Sequence, residues 1–306
     1  MTESELIQLL TADLPQDDTV RVAAGDDCAV LQLGKETLLF KTDAVVEGVH
    51  FTVDTPAQSI GRKALARALS DIAAMGGTPT HALITLGTPA ATDPDRLQSI
   101  YRGINNCAVE HGVNIVGGET TTLPCLTLSI ALLGTALQPV LRTGSQIGDA
   151  LFVTGELGGS ISGHHLEFTP RLREGRWLAD HCKPHAMIDL SDGLASDLRH
   201  LLGENPGAEI LTSALPISRA AHELARKNPS SKTPLLAALT DGEDYELLFT
   251  VSSKNAVPVL DAWKKAFPAV SLKCIGKITD QPGIVLRDEK GTQPFHLHGY
   301  DHLQQS

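Results

Sequence analysis

The sequence predicts an α/β chain of the α+β type, with two domains that are each a mixed sheet covered by helices. Three observations carry that expectation. The chain has 306 residues, and at about 100–200 residues per domain such a length divides in two. Segments with the two-residue period of strands are interspersed with segments of helical period along its whole length. A turn-rich passage at 137–148, containing Gln138-Pro139, Arg142-Thr143-Gly144-Ser145 and Ile147-Gly148, separates two such series. It sets the expected domains at 1–137 and 138–306.

The first series opens with a short helix within 1–20, with Leu6, Leu9 and Leu10 on one side and Pro15-Gln16-Asp17-Asp18 as its closing turn. From about 28 to 53 the period is that of strands. Thr37 to Asp43 reads as a strand ending on an acid, and Val45 to Phe51 as a second strand rich in β-branched and aromatic residues. Ile60, Ala64, Leu65, Ala68, Leu69, Ile72 and Met75 then recur at helical spacing, with Gly76-Gly77 as the stop. His81 to Leu86 is a short apolar strand. A second amphipathic helix carries Leu97, Ile100, Tyr101, Ile104, Cys107 and Ala108 and begins after Asp93-Pro94. Val113 to Val116 reads as a buried strand running into a Gly117-Gly118-Glu119 turn, and Leu126 to Leu133 as another strand.

In the second series Ala150 to Val153 is a strand opening into Gly155-x-x-Gly158-Gly159. Met187 to Asp189 is a strand ending on an acid, with Leu194, Ala195, Leu198, Leu201 and Leu202 helical behind it. Tyr245 to Val251 and Ser271 to Ile275 complete the strands. Residues 170–184, with their arginines, Pro184 and few apolar positions, read as a loop.

Composition excludes several functions. The 36 acids against 25 bases give a formal charge of −11, which repels polyphosphate backbones, so no nucleic-acid partner is expected. No stretch approaches the roughly 18 apolar residues of a membrane helix, and the acidic opening Met1 to Leu6 lacks a signal-peptide pattern. Five scattered cysteines with no C-x-x-C pair suit a reducing compartment, and the cytoplasm is the expected location.

The placement of the acids carries the chemistry. Gly25-Asp26-Asp27 precedes a strand, Asp43 ends one, Asp71 lies on the first long helix, Glu119 follows Gly117-Gly118, and Asp189-Leu190-Ser191-Asp192-Gly193 joins a strand to a helix. Taken singly, acids in such positions are mostly caps and solvated surface. Taken together, they place like charges side by side, which a hard cation with oxygen ligands such as Mg²⁺ would relieve. No G-x-x-x-x-G-K-[ST] occurs, so an ordinary P-loop is excluded, and there is no kinase-type G-x-G-x-x-G-x-V, G-x-S-x-G or H-E-x-x-H. The run Thr154 to Ser160 offers backbone amides to a phosphate, although such glycine-rich runs are more often plain turns. On pattern alone His50 is equally a packed histidine, Arg142 a charge in a turn, and Glu243 part of an acidic loop.

Eight blocks in order along the chain resemble the thiamine-monophosphate kinase family. They are Gly25-Asp26-Asp27-Cys28-Ala29, Thr42-Asp43 with Glu47-Gly48-Val49-His50-Phe51, Leu69 to Gly76, Gly117-Gly118-Glu119-Thr120-Thr121, Arg142-Thr143-Gly144, Ile188 to Leu194, Gly242 to Leu247, and Gly299-Tyr300-Asp301-His302. The resemblance implies the fold of the aminoimidazole-ribonucleotide-synthetase-like superfamily and dimerisation through the N-terminal sheets. It implies transfer of the γ-phosphoryl group of ATP onto thiamine monophosphate, with several Mg²⁺ ions and no general base. By the same resemblance Asp27, Thr42, Asp43, Asp71, Glu119, Asp189 and Asp192 are metal ligands. Gly118, Glu119, Arg142 and Ser191 contact ATP, and His50 and Glu243 meet the thiamine end. Arg142 shares the electrostatic stabilisation with the metal ligands.

The chain departs from the family pattern at several positions. Lys41 stands for a small hydroxyl residue, Glu119 for Asp, Arg67-Ala68 for Val-Asn, and Thr240-Asp241 for small residues, while Leu297 stands where an aromatic packs on thiamine, with Phe295 nearby. An ammonium at 41 would displace or replace one cation. Two rival readings remain at this point: a nucleotide-binding paralogue with weak or no kinase activity, and a sister enzyme with another substrate. The selenophosphate-synthetase variety would need an N-terminal Cys before a Gly-rich segment, and the hydrogenase-maturation variety ends in Cys, whereas this chain closes Gln304-Gln305-Ser306.

Overall fold

Alternation of apolar and polar side chains builds the first sheet of the computed structural model, which describes residues 3–203, 206–228, 230, 232–297 and 299–300. After a short helix α1 (Glu3–Thr11), strands β1 (Val20–Val22), β2 (Ala29–Leu33) and β3 (Glu36–Val46) pair antiparallel in succession. Helix α2 (Ala57–Ala74), strand β4 (Thr78–Thr88), helix α3 (Pro94–His111) and strands β5 (Asn114–Thr122) and β6 (Thr127–Thr135) complete this half. The strand order is β1-β2-β3-β6-β4-β5, and only the β4–β5 pair, joined through α3, is parallel. In β3, Leu39 and Val45 are buried while Phe40, Thr42 and Ala44 face outward; Leu128, Ile130 and Leu132 repeat the inward set in β6. Helices α2 and α3 cover the inner face. The outer face stays open, with Phe40, Leu83 and Val116 exposed.

The two helices lie in backbone contact. A Cβ on Gly61 would stand 2.0 Å from the Ile100 carbonyl oxygen, and one on Gly103 2.0 Å from that of Gln58. Helix α3 starts where Asp93 accepts a hydrogen bond from the Asp95 amide ahead of Pro94, and it stops at Gly112 in the left-handed region.

The second half runs β7 (Ala150–Thr154), α4 (His164–Glu167), α5 (Leu172–Trp177), β8 (Ala186–Asp189), α6 (Leu194–Leu202), β9 (Gly207–Leu211), α7 (Arg219–Lys227), α8 (Pro234–Thr240), β10 (Leu247–Val251), α9 (Ala256–Ala266), β11 (Leu272–Thr279), β12 (Gly283–Asp288) and β13 (Gly291–Phe295). Its sheet has the order β13-β12-β9-β11-β7-β10-β8, antiparallel except between β9 and β12. Every residue of β7, β8 and β10 is buried, because this sheet is covered on both faces. One cover includes α6 and α8. The other includes α9 and, reaching over from the first half, Ala73 and Ala74 of α2 against Phe152, Met187 and Phe249. Helix α2 is thus a wall shared by both sheets, and this fixes the site.

Four expectations are corrected. The Thr37–Asp43 strand continues to Val46, so Asp43 lies inside a strand. The expected strand Val45–Phe51 breaks at 47–50, where Gly48 takes φ +84° and its amide bonds the Phe51 carbonyl. Gly117-Gly118 is no turn but part of β5; a Cβ on Gly118 would meet the Ile84 carbonyl oxygen at 1.8 Å, so glycine serves close strand pairing there. Residues 170–184 are not a loop: they hold α5 and a π-helical turn at Leu178–Cys182, anchored by Trp177 edge-on to Trp263 and Phe267.

Candidate active site

Three acids from three elements converge. Asp27 lies in the loop before β2, Asp71 near the end of α2, and Asp189 at the end of β8. One carboxylate oxygen of each lies within 4.8 Å of the other two, and all three residues are buried. Asp27 Oδ2 has no hydrogen-bond partner among the described residues. Burial pushes all three carboxyls up. Repulsion from Asp189 and Asp71 pushes Asp27 further, whereas a hydrogen bond from Ser70 Oγ to Asp189 Oδ2, 2.5 Å long, pulls Asp189 back. A buried set of oxygen donors with one oxygen unclaimed is the surrounding a hard divalent cation needs.

Two cations already stand at one margin. Lys41 and Asp43 occupy the inner face of β3 with Leu39 and Val45. Lys41 Nζ is 3.0 Å from Asp71 Oδ2, and Arg67 Nε on α2 is 3.4 Å from Asp43 Oδ2.

Other expected ligands lie elsewhere. Thr42 is on the outer face of β3, its hydroxyl 3.4 Å from that of Ser129. Glu119 is exposed on β5 and accepts a hydrogen bond from the Thr120 amide. Strand register aligns Ala44, Ser129, Thr85 and Glu119 in one row, so three strand spacings, roughly 14 Å, separate Glu119 from β3. This chain therefore does not bring Thr42 and Glu119 to the three acids, because strand parity and strand order put them on the open face; Gly118 sits beside Glu119 in the tight β4–β5 pairing.

Ser191 and Asp192 form the turn from β8 into α6. The Ser191 carbonyl accepts from the Glu243 amide, and the Asp192 carbonyl from that of Tyr300. The Asp192 amide donates to Asp197, a buried acid pushed up by burial and by Asp192 itself. Arg142 donates its backbone amide to both oxygens of Asp26, which places its side chain's root beside the Asp26-Asp27 loop. Of the closing block, Gly299 and Tyr300 pack back on this turn, the Gly299 amide bonding Ser196 Oγ at 2.8 Å; Asp301 and His302 fall outside the described residues. Phe295 packs on the second core, and Leu297 is exposed.

His50 and Glu243 meet through a residue that the sequence reading passed over. Lys63 of α2 is fully buried; its ammonium donates to the His50 carbonyl at 2.7 Å and lies 2.6 Å from Glu243 Oε1 and 3.0 Å from His165 Nδ1. Burial lowers the Lys63 ammonium more than Glu243 raises it. Burial also raises the Glu243 carboxyl, but contact with His165 and the Lys63 charge overcome this and hold it at about 2. Glu243 and Tyr245 both take positive φ, at 64° and 50°, in a segment that turns successive side chains to opposite sides. The Tyr245 ring stacks on Phe168 with centroids 3.9 Å apart, and its hydroxyl is 3.3 Å from Glu243 Oε1. The one sequence signal for Lys63 was a lysine lodged within the apolar face of α2, between Ile60 and Ala64.

The glycine-rich run 154–160 is filled by the protein's own acids. The Gly158 amide donates to Asp244 and the Gly159 amide to Asp241, so the run is the plain turn that such glycine-rich segments more often are, and these two amides are not offered to a phosphate. A cavity of about 420 Å³ lies there, lined by Glu156, His164, Arg171, Asp244 and Glu246 among others, but by none of Asp27, Asp71, Asp189, His50 and Glu243. No helix of the described residues is long and apolar enough to cross a membrane.

Residues 25–136 match the family model of the AIR synthase related protein N-terminal domain. Over 288 residues the chain is 41% identical to the thiamine-monophosphate kinase of Rhodopirellula baltica, covering 90% of this chain and 87% of that protein. It is 33% identical to the thiamine-monophosphate kinase of Escherichia coli, over 93% of this chain and 92% of the other. The solved structure of AaThiL complexed with AMPPCP and TMP superposes with a TM-score of 0.83 at 28% identity, covering 99% and 97% of the two chains.

Proposed function

The chain belongs to the thiamine-monophosphate kinase family, and from that membership we propose how its side chains serve the reaction. The enzyme uses ATP to phosphorylate thiamine monophosphate to thiamine diphosphate by direct in-line transfer. The acceptor is already a phosphate oxyanion, so no side chain has to remove a proton. What opposes the reaction is repulsion between two anionic phosphates.

Magnesium fits the residues present: the donors are all oxygen, they come together in one buried cluster, and Asp27 keeps one oxygen that no described residue claims. In this reading Asp27, Asp71 and Asp189 hold the metal, with Asp43 and Asp192 at its margin. When bound, the metal neutralises phosphate oxygens and fixes them in line. Arg142, rooted by its amide on Asp26, supplies a forked donor to the nucleotide's phosphates, and Ser191 contacts the nucleotide from the β8–α6 turn. Glu243, kept ionised by His165 and by the Lys63 charge, presents its carboxylate to the cationic thiamine end, with His50 on the other side of the same lysine.

We further propose a homodimer through the first sheets, because Thr42 and Glu119 lie at the open sheet face together with the exposed Phe40, Leu83 and Val116. A division into 1–137 and 138–306 accords with one sheet in each part. A cytoplasmic location suits an ATP user with five free cysteines. The paralogue reading finds no support in the acids, since Asp27, Asp71 and Asp189 are all present and gathered.

The convergence of those three acids carries the proposal. Purified protein given ATP, Mg²⁺ and thiamine monophosphate forms thiamine diphosphate, read by thiochrome fluorescence after chromatography. In Asp27→Asn product formation falls by about 100-fold or more while the circular-dichroism spectrum stays unchanged. Product formation at the wild-type rate in that variant would remove Asp27 from the mechanism.

A further inference from the structure

Among the described residues Lys41 is the one lysine paired with an acid of the carboxylate cluster, and its geometry is that of a ligand rather than of a surface charge. It leaves β3 on the inner face, between Leu39 and Asp43, and ends 3.0 Å from Asp71 Oδ2. Asp43, two residues along the same face, is engaged by Arg67 at 3.4 Å. Asp71 therefore meets the cluster with one of its two oxygens already held by an ammonium. Asp27, on the other side, still has Oδ2 buried and unclaimed, and its residue is only 7% exposed.

Charge decides what the cluster can accept. Asp27, Asp43, Asp71 and Asp189 carry four negative charges when ionised, and Lys41 and Arg67 carry two positive ones. The remainder, two negative charges, matches one divalent ion. Without Lys41 the Asp43–Asp71 edge would present two carboxylates and only one cation. A second divalent ion on Asp71 Oδ2 would have to sit at contact distance from the ammonium, where the repulsion between them excludes it.

We propose that the Lys41 ammonium holds the place of a divalent cation on the Asp43–Asp71 edge of the cluster, so that metal binds only on the Asp27–Asp189 side and Lys41 itself faces the phosphates there. This rests on the assignment of the cluster to magnesium above. The ammonium is a compact charge with three donors. It bonds Asp71 through one and keeps the others for phosphate oxygen, so it neutralises the edge without depending on the metal concentration.

The test counts ions. Wild type, Lys41→Ser, Lys41→Met and Lys41→Arg are each saturated with a non-hydrolysable ATP analogue and titrated with Mn²⁺, with free Mn²⁺ read by electron paramagnetic resonance. Lys41→Ser opens both space and charge and binds one Mn²⁺ more per chain than wild type. Lys41→Met fills the space without the charge and separates the two effects; its count also rises, or its Mn²⁺ affinity at the existing site tightens severalfold. Lys41→Arg keeps the wild-type count and affinity. Equal counts and affinities in wild type, Lys41→Ser and Lys41→Met, with folding intact by circular dichroism, would overturn the proposal and leave Lys41 a plain salt bridge. A gain in Lys41→Arg as well would overturn it too, by tracing the ion to altered packing. The kinase reading is judged separately by thiamine diphosphate formation in the wild type, which can fail or succeed whatever the ion counts show.

Discussion

Asp27 keeps a carboxylate oxygen in the interior that no described residue bonds, and the ion-free protein bears that cost. Its carboxyl is pushed well above the usual range by burial first and by Asp189 and Asp71 next. A raised carboxyl stabilises the fold below the ordinary carboxylate range and gives up that stability as the pH climbs through the raised value. At neutral pH Asp27→Asn therefore makes the ion-free protein more stable, and at the same time reduces turnover by about 100-fold or more. Thermal melts in chelator, set beside product assays, check both signs. Glu243 has the opposite sense. Held at about 2, it adds stability that is present above its ordinary range and is lost as the pH falls toward 2. Glu243→Gln leaves the Lys63 ammonium buried without its partner and costs about 3 kcal/mol near neutrality; the difference from wild type shrinks in acid melts, and Lys63→Met added to it restores part of the loss. The acids that gather were legible because each sits in a motif at a strand end or on the helix. Lys63 and His165 were not: they meet across 102 positions of sequence, and a lone lysine in a helix reads as solvated.

Among the elements, α2 carries most of the site. Lys63, Arg67, Ser70 and Asp71 all lie on it, and each engages a different neighbour: Glu243, Asp43, Asp189 and Lys41. Its position against α3 depends on Gly61 and Gly103, where backbones touch. Gly61→Ala forces those helices apart, costing about 2–3 kcal/mol, and lowers turnover out of proportion to the stability lost because four site residues move together. A melt and a rate measured on the same preparation test this; unchanged turnover would show that α2 moves as a rigid unit relative to nothing that matters. The helix itself was plain from its apolar spacing. Helices α7, α8 and α9 and strands β9, β12 and β13 were not legible in the sequence, since elements of 5 to 11 residues repeat either period too few times to stand out from their flanks. The Gly117-Gly118 pair misled because glycine serves strand contact there as readily as a turn.

At the scale of the whole molecule, the two sheets are not independent. Ala73 and Ala74 of α2 belong to the second half's core, and Ser70 bonds Asp189 across the halves. Chemical denaturation accordingly shows one transition, with near-ultraviolet and far-ultraviolet signals moving together. The open face of the first sheet carries exposed apolar side chains, with Phe40 45% and Leu83 48% exposed. Leu83→Glu on that face converts a dimer to a monomer, read by light scattering behind size exclusion, and a wild type that already elutes as a monomer would remove the homodimer from the proposal. Two sheets with helices were legible from period alone. That one helix would serve both could not be, because a sequence shows which residues of a helix are apolar but not how many partners its apolar faces meet.

The hexapeptide Asp241 to Glu246 has a consequence for how the chain can vary. Asp241 and Asp244 fill the glycine-rich run, Glu243 turns the other way to Lys63, and Glu246 pairs with Arg171. With its side chains committed in alternating directions, the segment has its spelling tied to its length: dropping one residue would hand each acid the task of its neighbour. Deletions stepped through 241–246 should abolish function at every position, whereas the same deletion at the Glu289-Lys290 turn, joining β12 and β13, should pass with little effect.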